Sequence, residues 1–288
     1  MKKPTKRRIT APLLAVSPII IYLVLALTAG ILIGIAGTVM GKTQDEIMAV
    51  ITLGVPDEIC MGLAALCSVF IVGGYSKIRL REVFRVREFD IAVPIMLLLF
   101  TWSAGELFDT MSGLLLSNFM TVEPNSAPFN GVFGVICMVV FAPIFEEIIF
   151  RFAGTELPRG AYSLPIVCIA NGLYFAAVHG YNIQGILHIV MIGIAMAYVY
   201  CKTRNLFYTM ITHALNNLIC LFPIGEFAYY EKNGFVLGKW YWLAVNAVLL
   251  TIALIYYIKV FRKKYKKNYF EVDREKGMPQ IGAAAETV

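Results

Sequence analysis

Long apolar segments separated by short clusters of charge constrain the fold of this chain more than any other feature. The segments run for about 18 to 30 residues, and at ~1.5 Å of rise per residue such a helix can cross the hydrocarbon core of a bilayer. Of the 288 residues, 59% are hydrophobic and only 15% are charged, whereas a soluble domain carries about 25% charged residues. The sequence therefore predicts an all-α fold, a polytopic transmembrane helical bundle.

The segment boundaries predict about eight transmembrane helices. Charged, Pro-containing or Gly-containing stretches separate them, and the predicted spans are residues 9–40, 58–75, 91–111, 131–157, 163–179, 182–200, 206–221 and 240–260. Residues 1–130 then hold helices 1–3, and residues 131–222 form a core of helices 4–7. Residues 223–261 contribute a loop and helix 8, and residues 262–288 form a polar tail.

The basic residues predict the orientation of these spans. An even number of spans places both termini on one side, and that side carries every Lys and Arg except Lys42, Lys232 and Lys239. Because basic loops favour the cytoplasm, the sequence predicts a multi-pass protein of the cell membrane with both termini cytoplasmic. The net charge of +6 is explained by these basic residues beside the membrane spans. Membrane lipids are therefore expected partners, and nucleic acid is not.

Two adjacent glutamates and an arginine lie inside the fourth apolar segment. A charge at membrane depth costs at least ~2.5–3.5 kcal/mol on insertion scales, so these side chains need a physical reason to be there. Glu147 and Arg151 are four residues apart and are predicted to pair on one face of a helix. Glu146 points about 100° away from Glu147 and has no partner within this segment. Glu147 is therefore predicted to be structural, and Glu146 to be available for chemistry.

Polar side chains on two later spans are predicted to meet Glu146. His179 ends the fifth span, and His213 and Asn217 lie four apart on the seventh, so both can address one point. Counted from the cytoplasmic ends, Glu146 lies ~16 Å deep and His213 ~13 Å deep, whereas His179 comes out at ~24 Å. A tilt or a later start of the fifth helix is needed to bring His179 into a shared cavity that opens towards the cytoplasm. Three other polar residues of the spans are assigned no role: Glu106, Asp109 and His188.

Three motifs occur in order over residues 131–221: EExxxR at Glu146, Glu147 and Arg151, FxxxH at Phe175 and His179, and HxxxN at His213 and Asn217. This set resembles the CPBP family, which comprises the CAAX proteases (including CAAX prenyl protease 2-like proteins) and the bacteriocin-processing membrane proteins also called the Abi family. Each motif alone is weak, and their order on separate spans makes the resemblance specific.

The resemblance implies an intramembrane endopeptidase that acts on a peptide or a lipidated protein. In such a protein Glu146 activates a water molecule with the assistance of His179, while His213 and Asn217 stabilise the oxyanion. The Glu147–Arg151 pair supports the helix. These assignments agree with the residue types, since a carboxylate is a suitable general base and an amide or imidazole N–H is a suitable oxyanion donor.

Two alternatives stay open at the level of sequence. Glu146, His179 and His213 are also the donor set of a His₂Glu zinc site with one open position, although the chain lacks an HExxH motif. A metal-free mechanism is preferred, and zinc is the alternative cofactor. The second alternative is a non-proteolytic protein: a bacteriocin-immunity or scaffold factor, or a proton-coupled carrier in which Glu146 titrates. A carrier more typically shows repeated halves with broken helices, which this sequence does not display.

Overall fold

A computed structural model describes residues 5–52, 54–116, 131–179, 183–221 and 238–266 of the chain. Over these residues the secondary structure is helical. The helices, in chain order, are α1 (Thr5–Val39), α2 (Gln44–Thr52), α3 (Val55–Ser76), α4 (Ala92–Leu116), α5 (Gly131–Glu156), α6 (Leu164–Ala177), α7 (Ile183–Thr203), α8 (Leu206–Cys220) and α9 (Gly238–Tyr256). A π-helical turn, Tyr257–Phe261, continues α9 into a last short turn, Arg262–Lys264. The predicted loop at 223–237 and the polar tail beyond residue 266 lie outside the described residues.

The prediction of an all-α polytopic fold is confirmed, whereas the number of eight spans stays a prediction. Each predicted span corresponds to a helix, and five segments of the described chain are long and apolar enough to cross a membrane: Ile9–Val39, Gln44–Ser76, Gly131–Glu156, Ile186–Thr203 and Tyr241–Lys264. A sixth is counted if Ala92–Phe108 and the preceding turns Leu80–Glu88, bent by 106° from it, form one span.

Helices α6 and α8 are shorter than the membrane is thick. They contain 14 and 15 residues, which corresponds to a length of about 21–23 Å against a hydrocarbon core of ~30 Å. Helix α6 packs closely along α7, where a Cβ atom added to Gly193 would lie 2.8 Å from the Cα of Gly172. Small residues allow such close approach of two backbones in membrane bundles.

Helix α5 lies in the interior of the bundle, between α3 and α8. Its second half is enclosed, and Ile149, Phe150 and Phe152 are fully buried in the main apolar core. On the α3 side, Gly62 leaves room for the Phe145 ring, which a Cβ atom would approach to 3.2 Å. This packing fixes the helix that carries the two glutamates against its neighbours.

The end of α5 is held by a buried carboxylate. Glu156 pairs with Arg159 at 3.1 Å and with Arg204 at 3.2 Å, and the hydroxyl of Tyr200 donates to it at 3.0 Å. Because Tyr200 lies on α7 and Arg204 just after it, Glu156 connects the end of α5 to the end of α7. A buried carboxylate with several donors is stable only while each donor is present.

Candidate active site

Two π-helical turns bracket the segment of α5 that carries the glutamates. The first is Cys137–Phe141 and the second is Ile148–Ala153, with a short α-helical stretch, Ala142–Glu147, between them. A π-turn holds one more residue than an α-turn and often occurs at functional sites. The helix is therefore irregular on both sides of Glu146 and Glu147, which no feature of the sequence pattern indicated.

Glu147 and Arg151 form the ion pair that their spacing predicts. Arg151 Nε lies 3.3 Å from Glu147 Oε2, and both side chains are 0% exposed. The Arg151 guanidinium also lies 4.2 Å from the centre of the Phe175 ring. A second partner was not predicted: His213 Nδ1 lies 3.0 Å from Glu147 Oε1. Glu147 thus joins the arginine of its own helix to the histidine of α8.

Glu146 lies beside both predicted histidines. Its Oε2 atom is 3.7 Å from His179 Nε2 and 3.9 Å from His213 Nε2. The same Oε2 atom is enclosed and makes no hydrogen bond to another described residue. The side chains of Glu146 and His179 keep 15% and 22% of their surface exposed, so this cluster is accessible in a way that Glu147 is not. The structure therefore brings Glu146, His179 and His213 together.

The remaining nitrogen of each histidine contacts an oxygen atom. His179 Nδ1 lies 2.7 Å from the carbonyl oxygen of Phe175, and His213 Nδ1 faces the Glu147 carboxylate. An oxygen acceptor selects the tautomer in which Nδ1 carries the proton. In the neutral rings, both Nε2 atoms are then acceptors that face a carboxylate oxygen. Such a group of acceptors requires a shared donor, such as a proton or a water molecule.

Asn217 is placed differently from the three residues above. Its Nδ2 donates a hydrogen bond of 2.9 Å to the carbonyl oxygen of Met138, within the first π-turn. Asn217 thus reaches α5, as the motif implies, but the contact that the structure shows is with the backbone of that helix. The predicted role of Asn217 as an oxyanion donor stays a prediction.

Sequence reasoning missed an acid on the opposite flank. Glu58, on α3, lies within electrostatic range of Glu146, and its Oε2 atom is enclosed without a hydrogen bond to a described residue. Its position in the first turn of a helix is ordinary for an acid, because carboxylates are favourable near helix N-termini. The sequence therefore carried no signal that separates Glu58 from a residue of the membrane interface.

The zinc alternative requires Glu146, His179 and His213 to surround a single metal ion. Zinc binds His nitrogen and carboxylate oxygen at about 2.0–2.2 Å, with the ligands disposed tetrahedrally. Within the described part of the chain, no group of three or more His, Cys, Asp or Glu side chains is arranged to hold a metal ion. The zinc alternative for Glu146, His179 and His213 therefore stays a prediction.

Comparison with known proteins identifies the part of the chain that contains this cluster. Residues 128–219 match the family described as type II CAAX prenyl endopeptidase, Rce1-like, and this range contains α5, α6, α7 and nearly all of α8. No curated protein and no solved structure matches the chain. Residues 128–219 therefore match a domain of the CAAX protease (CPBP) family, as the three sequence motifs predict.

Proposed function

We propose that this protein is an intramembrane endopeptidase in which Glu146 activates the attacking water molecule. The observation that carries the proposal is the position of Glu146 Oε2, enclosed, without a hydrogen bond to a described residue and within 3.9 Å of the Nε2 atoms of two histidines. These distances exceed a hydrogen bond, and catalytic hydrogen bonds are often long before substrate binds. A water molecule that donates to Glu146 satisfies the unpaired carboxylate oxygen.

The proposed reaction begins with proton transfer from water to Glu146. The resulting hydroxide attacks the carbonyl carbon of the peptide, and the carbonyl oxygen becomes an oxyanion. When the C–N bond breaks, the proton held by Glu146 passes to the leaving amine. His179 assists by orienting the water through Nε2, since its Nδ1 proton is directed to the Phe175 carbonyl. General acid–base catalysis of this kind contributes about 10²–10⁴-fold to a rate.

The role of His213 follows from its second carboxylate neighbour. With its Nδ1 proton directed to Glu147, His213 can donate to the oxyanion through Nε2 only as the imidazolium, which carries a proton on both nitrogens. Glu147, 3.0 Å from Nδ1, stabilises that imidazolium form. Glu147 is then a residue that orients His213 as well as the partner of Arg151. This extends the structural role predicted for Glu147 from its spacing.

The substrate class follows from the family and the setting of the site. Proteins of the matched family are described as prenyl endopeptidases, so we propose a peptide or lipidated-protein substrate. The distribution of basic residues supports cytoplasmic termini in the cell membrane and cleavage near the cytoplasmic face. The membrane lipids themselves surround the apolar helices.

Peptide-cleavage profiling of the purified protein in lipid nanodiscs tests the proposal. The wild type should cleave members of a library that contains unmodified and prenylated peptides. Glu146→Gln should lose activity by at least about 10²-fold, the lower end for loss of a general base. Glu106→Gln is the matched control, because Glu106 is an acid of a membrane helix that accepts a bond from Trp242 at 2.7 Å.

Cleavage that persists in Glu146→Gln would refute the proposed mechanism. A wild type that cleaves no peptide, but moves protons in a way that depends on Glu146, would favour the carrier alternative. A wild type that neither cleaves peptides nor moves protons would favour a scaffold or immunity role.

A further inference from the structure

The two π-turns of α5 each receive a side-chain hydrogen bond from an asparagine on a different helix. Asn217, on α8, donates to the carbonyl oxygen of Met138 at 2.9 Å. Asn171, on α6, donates to the carbonyl oxygen of Phe150 at 2.6 Å. Met138 lies in the turn Cys137–Phe141 and Phe150 in the turn Ile148–Ala153. One amide thus binds the helix before the glutamates, and the other binds it after them.

A π-turn leaves a carbonyl group without its usual partner. Because the turn contains an extra residue, the regular i→i−4 hydrogen bonding of the α-helix is interrupted there. In a membrane, an unsatisfied backbone carbonyl is costly, and helix irregularities persist where side chains of neighbouring helices satisfy the freed groups. Asn171 and Asn217, which donate to carbonyl oxygens within the two turns, are able to provide such compensation. Without an external donor, a regular α-helix becomes the more favourable conformation of each turn.

The contact of Asn171 with α5 is especially close. Asn171 is buried to 2% exposure, and a Cβ atom added to Gly154 would lie 2.7 Å from its Nδ2 atom. The glycine therefore leaves space that the amide occupies directly after the second π-turn. Both the absence of a side chain at residue 154 and the amide at residue 171 are needed for this arrangement.

The π-turns determine where the two glutamates point. Each extra residue rotates the helix on one side of the turn by about 100° relative to the other side. Glu146 must face His179 while Glu147 faces Arg151 and His213, and both conditions hold only for one rotation of Ala142–Glu147. Loss of either π-turn would rotate this stretch relative to the helix on that side.

We propose that Asn171 and Asn217 are positioning residues that hold the two π-turns and thereby aim Glu146 at the histidines. The part of this inference that concerns activity rests on the proposed peptidase function, and the part that concerns the turns does not. For Asn217 the role differs from direct stabilisation of an oxyanion. Asn171 is not a candidate oxyanion donor, because its amide contacts the backbone of α5 beyond Glu147, at Phe150.

Hydrogen–deuterium exchange of the nanodisc-embedded protein measures the turns directly. In Asn171→Ala, exchange should increase at residues 148–153 and stay unchanged at 137–141, and in Asn217→Ala the pattern should be reversed. Near-isosteric Asn→Leu variants remove the donor while filling the space, in case either alanine variant is poorly folded. Asn246→Ala is the control, since this buried asparagine donates to a carbonyl of its own helix, that of Trp242 at 3.0 Å.

Peptidase activity of the same variants measures the consequence for the site. Both the Asn171 and the Asn217 variants should lose kcat by about 10–100-fold, as a misplaced catalytic group does, with KM changed less than about twofold. Asn246→Ala should lose thermal stability without either effect. Wild-type exchange at the targeted turn in a folded variant would overturn the proposal for that residue. Normal kcat despite increased exchange would overturn the positioning role.

The wild type and Glu146→Gln, assayed in parallel, separate this inference from the proposed function. Cleavage by neither protein would refute the peptidase function, and equal cleavage by both would refute the role of Glu146. In either case the exchange data would still decide whether the asparagines hold the turns. A loss of kcat in Asn217→Ala with unchanged exchange at 137–141 would assign that residue to the oxyanion instead.

Discussion

Replacement of Arg151 by alanine should destabilise the protein far more than replacement of Glu146. Arg151 is fully buried, pairs with Glu147 and covers the face of the Phe175 ring. Its removal leaves Glu147 as a buried charge, which costs about 3–5 kcal/mol. The hydrogen bond from His213 compensates part of this cost, because a bond to a charged group contributes about 1.5–3 kcal/mol. The difference, a net loss of roughly 2 kcal/mol, corresponds to a decrease in Tm of about 4–8 °C.

Thermal unfolding in detergent, followed by size-exclusion chromatography, measures this difference. Arg151→Ala should melt well below the wild type, whereas Glu146→Ala should melt at or above it, because among the described residues Glu146 pairs with no Arg or Lys. Arg151→Met combined with Glu147→Gln should recover part of the loss, since neither charge is then left alone. The reasoning is refuted if Arg151→Ala melts within about 2 °C of the wild type, or if the two single variants lose equal stability.

Three further predictions concern the oxyanion, the topology and pH. Because His213 stabilises the oxyanion in the proposed reaction, His213→Ala should lower kcat by about 10²–10³-fold and leave residual activity, and a loss that large in Asn217→Ala would assign the same role to Asn217. Elemental analysis should show no stoichiometric metal, whereas zinc lost with His213 would support the metal-dependent alternative. A cysteine introduced at Lys42 should react with a membrane-impermeant reagent from the outer face, and labelling from the cytoplasm would overturn the predicted orientation. Lys264 donates to Asp90 at 2.6 Å and lowers the pKa of that carboxyl below its ordinary value of 3.8. The ion pair contributes at most about 1 kcal/mol of stability, which is present above pH 3.8 and is lost as the pH falls through the lowered pKa. The difference in Tm between the wild type and Asp90→Asn should therefore vanish in acid, and a difference that persists there would contradict this.

The parts of the site that sequence could predict are those fixed by local geometry. A spacing of four residues on a helix was sufficient to pair Glu147 with Arg151. The contact between Glu147 and His213 joins residues 66 positions apart and depends on how α8 packs against α5, which no periodicity encodes. Depth counted along helices placed His179 too far from Glu146. In the structure α6 ends at Ala177, and His179 follows it with its Nε2 3.7 Å from Glu146.

The sequence did not predict the π-turns of α5 or the short length of α6 and α8. Both features depend on contacts with neighbouring helices. A π-turn is stable when neighbours satisfy its free carbonyl groups, so its sequence signal lies on other helices, at Asn171 and Asn217. Apolar composition likewise locates the helices, but α6 and α8 are short for a bilayer. Whether each crosses fully depends on its neighbours and on tilt, and composition reports neither.

The different environments of Glu146 and Glu147 explain how adjacent carboxylates can serve one reaction inside a membrane. Arg151 offsets the charge of Glu147, so Glu146, beside the Nε2 atoms of His179 and His213, is the carboxylate of the two that is free to accept a proton. In the proposed reaction, transfer of a proton from water to Glu146 neutralises that carboxylate, and the negative charge moves with hydroxide to the oxyanion. The charge is therefore displaced by a few ångströms instead of being created at membrane depth, where a new charge is costly. Glu147, held by Arg151 and oriented towards His213, keeps its charge throughout and supports the imidazolium that faces the oxyanion.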